Sequence, residues 1–139
     1  MTLRLRALIA ASVALLLLSS VAIAGNNDLD LSFTNLMTLD AATDGLYEGW
    51  AIVGGMPVST GVFNVNGAGQ PVDPMSGNVI PIFDAGTDIS GATSIKISIE
   101  PPMDMDPAPS GLIVLSGDPV GNTALLTATL PDMTGAGGS

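Results

Sequence analysis

The chain has 139 residues and contains neither cysteine nor histidine. Without cysteine there is no disulfide and no thiol nucleophile, and without histidine the commonest general base and a principal zinc ligand are missing. Ser/His/Asp catalysis is therefore excluded. Aromatic residues make up only 4% of the chain, too few to line a deep substrate cleft easily.

Basic residues are also scarce, and their placement is uneven. Arg4 and Arg6 lie at the N-terminus, which leaves Lys96 as the only strong base against 13 acidic residues that all follow residue 24. Such a surface repels nucleic acid and anionic lipid headgroups, because their recognition requires Lys and Arg. It attracts cations or a basic protein face, although acidity also serves solubility alone. We predict no nucleic-acid partner.

The first 24 residues have the pattern of an export leader. Arg4 and Arg6 precede an apolar run at 7–18, and Ala22-Ile23-Ala24 places small residues at positions −3 and −1 of a signal-peptidase site. We predict cleavage after Ala24 and an extracytoplasmic protein, either periplasmic or secreted. The alternative is an uncleaved anchor at 7–24, whose 18 uncharged residues are just enough to span a bilayer. Only in that case is the membrane a partner.

The remaining chain is predicted to form one β-sandwich domain at 25–131, followed by a flexible Gly-rich tail at 132–139. Apolar residues alternate with a period of two, and turn signals recur at short intervals. About seven strands and no convincing helix predict an all-β fold, a two-sheet immunoglobulin-like sandwich. The Gly54-Gly55 pair between two apolar runs predicts a tight hairpin.

The expected structural core consists of large residues on the predicted strands: Trp50, Ile52, Phe63, Ile95, Ile97 and Ile99. Trp50 and Tyr47 have an alternative role as surface anchors for a partner, because aromatic side chains dominate binding interfaces. We expect Trp50 to be buried, since it alternates in phase with Ile52 and large aromatic rings belong in sandwich cores.

Carboxylates are the remaining candidates for chemistry. Asp104 and Asp106 could form a hydrolytic pair, and Lys96 could serve a Ser-Lys dyad, but neither comes with the convergent polar groups of an active site. We therefore predict no enzyme, no catalytic residue and no cofactor. Calcium is an alternative, because hard cations bind the oxygen ligands that closely spaced acids supply. The pairs with suitable spacing are Asp104/Asp106, Asp84/Asp88 and Asp28/Asp30.

A proline-rich connection between two apolar strands is the most distinctive surface segment. We predict that this interaction loop, residues 101–111, contacts a partner through Pro101, Met103, Asp104, Met105, Asp106, Pro107 and Pro109. Exposed methionine suits an adaptable contact surface. The alternative is that one of the two methionines plugs the end of the sandwich.

Two motifs of the chain resemble the C-terminal domain of the anti-sigma-K factors (RskA-type). Residues 47–65 read YEGWAIVGGMPVSTGVFNV and are similar to the hairpin pattern Y-x-x-W-x-V-x-x-G-x-P-V-S-x-G-x-F. Residues 97–118 contain S-I-E-P, P-A-P-S-G and I-V-L-S-G, in the order of the family's T-x-E-P and P-x-P-T-G-P-I-V segment.

The resemblance implies an extracytoplasmic β-sandwich of a regulator that senses envelope conditions. In the family, a cytoplasmic sigma-binding domain precedes a transmembrane helix, whereas here six residues precede the apolar run. We therefore expect an exported interaction or sensor domain without a sigma-binding domain, whose partner is another envelope or secreted protein. The alternative is a structural or adhesive cell-surface domain that assembles through strand-edge pairing, at the edge strand that Pro81 indicates, or through calcium.

Overall fold

The structure is a computed structural model that describes residues 19–23 and 26–129. Within these ranges it contains nine antiparallel strands and no helix, which confirms the all-β prediction. The strands are β1 (Ser19–Ile23), β2 (Asp28–Ser32), β3 (Leu46–Val53), β4 (Met56–Val65), β5 (Pro71–Val72), β6 (Phe83–Asp84), β7 (Ser94–Glu100), β8 (Ile113–Gly117) and β9 (Thr123–Ala128).

Parts of the predicted domain boundaries lie outside the described residues. These parts are the apolar run at 7–18, the cleavage point after Ala24, and the tail at 132–139. None of the described residues belongs to a helix long and apolar enough to cross a membrane. Cleavage after Ala24 therefore stays a prediction.

Hydrogen bonds connect the strands in one continuous, curled order: β5-β4-β3-β7-β8-β9-β1-β2-β6. The predicted division into two sheets is not confirmed, because β1 pairs with β9 on one side and with β2 on the other. β1 consists of Ser19–Ile23, the residues that the sequence pattern assigns to the end of the leader. The sheet thus includes five residues upstream of the predicted domain boundary.

Stacked aromatic rings occupy the centre of the core. The ring of Phe63 lies 5.3 Å from that of Phe33 and 5.6 Å from that of Tyr47, centroid to centroid, and meets the edge of Phe83 at 5.2 Å. Offset and edge-to-face pairs at this spacing add to the stabilisation that burial alone provides. The other core residues expected from sequence and found buried here are Ile95, Ile97 and Ile99.

Of the two predicted core residues on β3, Trp50 is buried as expected, whereas Ile52 is not fully buried and corrects the prediction. β3 pairs with β7 without interruption, so residues 47, 49 and 51 face the core and residues 48, 50 and 52 face the other way. Trp50 is only 1% exposed but is buried on that opposite face, and Ile52 is half-buried. A period of two shows which residues share a face, but it does not show which face meets the core.

The backbone conformation explains why glycine occurs at three positions of the first motif. Gly54 and Gly55 have φ values of 59° and 80° and connect β3 to β4, which confirms the predicted hairpin. Positive φ at both central residues is the signature of the two-residue turn that matches strand twist. Gly61 has a φ of 127°, and a Cβ there would lie 3.4 Å from the ring of Phe83. Larger residues at these positions would strain the backbone.

Candidate interaction loop

The predicted interaction loop lies in the connection between β7 and β8, and its side chains face solvent. Every residue from Pro101 to Ala108 is exposed, with Met103 at 95% and Met105 at 93%. Neither methionine plugs the end of the core. The structure therefore agrees with methionines that are exposed to solvent and not with a methionine that closes the end of the sandwich.

The two acids of the loop shape its backbone. Asp104 accepts a hydrogen bond from the amide of Asp106 at 3.0 Å, and Asp106 accepts one from the amide of Ala108 at 2.9 Å. Both are turns in which an aspartate side chain bonds the backbone two residues further on. These hydrogen bonds form two consecutive turns within the loop, and the side chains of Met103 and Met105 point to solvent.

Met103 lies in a turn conformation that normally belongs to glycine. The amide of Asp104 donates to the carbonyl of Pro101 at 3.2 Å, and Met103, the third residue of this turn, has a φ of 59°. A non-glycine residue in the left-handed region costs about 1–2 kcal/mol. Strain of this kind is found at functional sites, where the surrounding structure holds it in place.

Glu100, at the end of β7, fixes the base of the loop. Its side chain is 5% exposed, and its two carboxylate oxygens accept the amide N–H of Ser110 at 3.1 and 2.9 Å. The hydroxyl of Ser110 donates to the carbonyl of Ile99 at 2.7 Å. The two ends of the loop are therefore tied together by a charge-assisted contact, which is about twice as strong as a neutral one.

A buried chain of hydrogen bonds joins this base to the first motif. Trp50 donates from Nε1 to the hydroxyl oxygen of Ser98 at 2.9 Å, and Ser98 in turn donates to Glu100. Trp50 comes from the first motif, whereas Ser98, Glu100 and Ser110 come from the second. Ser98 is not among the residues predicted from sequence, although its alternation with Ile97 and Ile99 places it on the opposite face of the strand from them.

A second carboxylate, Glu48, lies on the same face of β3 as Trp50. It accepts a hydrogen bond from the hydroxyl of Ser59 at 2.6 Å. Burial raises the pKa of Glu48, the charges of Glu100 and Asp104 raise it further, and the Ser59 hydrogen bond opposes them. This face next to the loop is negative, so it favours a partner with basic residues.

A recess of about 340 Å³ lies beside the base of the loop. It is bounded by the prolines that begin the loop, by Leu112 at its other end, and by Thr43 and Asp44. The recess is partly apolar, so it suits a small apolar side chain of a partner. Asp44 is the single carboxylate among its lining residues, whereas glycoside hydrolysis uses a pair.

The acids proposed as calcium ligands are also engaged locally. Asp84 accepts the amide of Gly86 at 2.7 Å, and Asp88 accepts both the amide and the hydroxyl of Ser90. The Ser90 hydroxyl and amide hydrogen bonds lower the pKa of Asp88. Across residues 19–23 and 26–129, no three side chains of His, Cys, Asp or Glu are grouped so that they could hold a metal ion. Calcium binding stays a hypothesis.

Comparisons with protein-family models, curated proteins and solved structures gave no match to this chain. The resemblance to the anti-sigma-K domain therefore stays a prediction, and the two motifs carry it. The hydrogen-bonded chain from Trp50 to Ser110 gives these motifs a shared physical role at the base of the loop.

Proposed function

We propose that this chain is a non-enzymatic exported interaction or sensor domain that binds another envelope or secreted protein through the interaction loop. Its two motifs resemble those of the extracytoplasmic domain of anti-sigma factors. One observation carries the proposal: two nearly fully exposed methionines stand on a strained loop whose base is tied down by a buried network.

This arrangement suits recognition because the loop is ordered before it binds. A preorganised loop loses less conformational entropy on binding than a flexible one. Methionine has a flexible, polarizable side chain that adapts to irregular apolar surfaces. The neighbouring carboxylates of half-buried Glu48 and exposed Asp104 add attraction for basic residues around such an apolar contact.

The proposal is tested by removing the two side chains without changing the fold. Met103→Gly keeps the turn, because glycine adopts a φ of 59° without strain, and Met105→Ser removes the second exposed thioether. In-cell crosslinking of the tagged, exported protein should recover an envelope protein with the parent chain and lose it with the double variant. The melting temperature should stay within about 4 °C of the parent.

Met75→Ser is the matched control, since Met75 is 97% exposed but lies in a different turn, at 73–77. It should recover the same protein as the parent chain. Equal capture by the parent and by the Met103/Met105 double variant would show that the loop is not the contact surface. Loss of capture by both the double variant and Met75→Ser would point to a general loss of folding or export.

The alternative of a calcium-stabilised surface domain has its own test. Calcium that binds the folded state raises the melting temperature by mass action. We expect equal melting temperatures in millimolar calcium and in chelator, because no three acidic side chains of residues 19–23 and 26–129 are grouped closely enough to share an ion. A clear rise in calcium would favour the structural alternative.

A further inference from the structure

β1 lies inside the sheet, although the sequence assigns its residues to the leader. Val21 pairs with Leu31 of β2 on one side and Ala124 of β9 on the other, and it is 2% exposed within the apolar core. Ser19 is equally buried, whereas Ser20 is exposed. β1 therefore occupies a defined strand position with one inward and one outward face.

Neither exported form that the sequence predicts can keep β1 in this position. Cleavage after Ala24 removes all five of its residues. An uncleaved anchor needs the whole stretch 7–24, because a bilayer-spanning helix takes about 20 residues. If Ser19–Ile23 stay in the sheet, the apolar run at 7–18 has only 12 residues and is too short to span.

Removal of β1 divides the hydrogen-bond order into two parts. The first part is the six-stranded series β5-β4-β3-β7-β8-β9, and the second is the pair β2-β6. The edges of β2 and β9 that faced β1 then have backbone N–H and C=O groups without partners. Such edges readily accept an added strand.

We propose that the strand slot, the position between β2 and β9, binds an extended segment of another envelope protein once the leader has left the sheet. The slot prefers an aliphatic residue where Val21 lies and a small one where Ser19 lies. At the outward position of Ala22 the neighbours are Asp30 and Thr123, both exposed, so Lys or Arg is favoured there.

Charge argues against a second copy of the chain as the occupant. After residue 24 the chain carries 13 acids and one strong base, so two copies repel each other. This inference goes beyond the proposed role of the interaction loop, and it rests on the predicted departure of the leader from the sheet.

The test starts with the exported full-chain protein, whose N-terminus is read by intact mass. The probe is a synthetic peptide with the sequence of residues 17–26 in which Ala22→Lys is made. It should bind one to one and raise the melting temperature by mass action. The corresponding Ala22→Asp peptide should bind about fivefold more weakly, and Asp30→Asn in the protein should abolish that difference. A Val21→Asp peptide should not bind.

The register of binding can be read directly because the chain has no cysteine. Ser20 and Leu125 are Cα partners, and Leu125 is 58% exposed, so Leu125→Cys in the protein should form a disulfide with a Ser20→Cys peptide. Thr123→Cys is the matched control. Thr123 is the partner of position 22, so its cysteine lies out of register and should not form the bond.

Each outcome of the test decides the proposal. An exported protein that starts at Gly25, or stays anchored, and forms the Leu125–Ser20 crosslink supports it. An exported protein in which Ser19–Ile23 remain in the sheet overturns it. Absence of binding at millimolar peptide also overturns it. The Met103/Met105 variant should still bind the peptide, so failure of the loop proposal would leave this result unchanged.

Discussion

Ser98 is the side chain through which the buried network can be tested most directly. It is fully buried, accepts from Trp50 Nε1 and donates to Glu100. Ser98→Ala leaves the indole N–H without a partner, at a cost of about 1–3 kcal/mol, and removes a hydrogen bond to a charged group worth about 1.5–3 kcal/mol. Because Glu100 keeps the Ser110 amide, we expect a net loss of about 3 kcal/mol.

Urea unfolding of the purified protein measures this loss. With a slope near 1.5 kcal/mol per molar urea, typical of a small domain, the midpoint should fall by about 2 M. Trp50 is the sole tryptophan and is buried, so its fluorescence reports unfolding, and circular dichroism follows the variants that lack it. Ser116→Ala, at a half-buried serine on β8, should change stability by less than about 0.5 kcal/mol.

A double-mutant cycle separates the network from simple packing. Trp50→Phe removes the indole donor, so in that background Ser98→Ala no longer leaves a buried N–H unpaired. The two changes together should therefore cost at least about 1 kcal/mol less than their sum. Additive losses, or a midpoint drop below about 0.5 M for Ser98→Ala alone, would refute the reasoning.

Three further changes probe the core, the loop base and the acidic face. Phe63→Ala should lower the free energy of unfolding, measured by urea titration, by about 4 kcal/mol. Val62→Ala, at a 42% exposed site, should lower it far less. Similar losses for the two variants would contradict the stacked core. Gly45→Ala should lower the melting temperature clearly more than Gly54→Ala. Both glycines have positive φ, but only a Cβ at Gly45 clashes with the backbone carbonyl at the end of β7. Equal melting temperatures of the two variants would argue against that clash. The pKa of Glu48 is raised above 4.5, chiefly by burial, so the stability it contributes is present below pH 4.5 and is lost as the pH rises through the raised value. Glu48→Gln should therefore raise the free energy of unfolding at pH 7, by under about 1 kcal/mol for this half-exposed group, and should give no gain at pH 3.5. An effect of the same size at both pH values would contradict this assignment.

Local sequence patterns predicted several elements of the candidate site. The sequence allowed two interpretations of Met103 and Met105, and the one in which both side chains are exposed is the one found. The stretch around them is rich in proline and aspartate and has few apolar residues that could be buried. The strand at Ile95–Ile99 and the Gly54-Gly55 turn follow from alternation and from positive φ, which are properties of a few consecutive residues. The left-handed conformation of Met103 had no such signal, because methionine does not favour it.

The sequence by itself determined the all-β class and the Gly54-Gly55 turn, because alternation and turn chemistry act over neighbouring residues. Only the tertiary structure decided which face of β3 meets the core, so Tyr47 joined the aromatic stack while Trp50 joined Ser98 and Glu100. It also decided that Ser19–Ile23 pair with strands from both ends of the chain. Such pairings join residues far apart in sequence, and the free energy that selects among them comes from the complete core and sheet rather than from any local pattern.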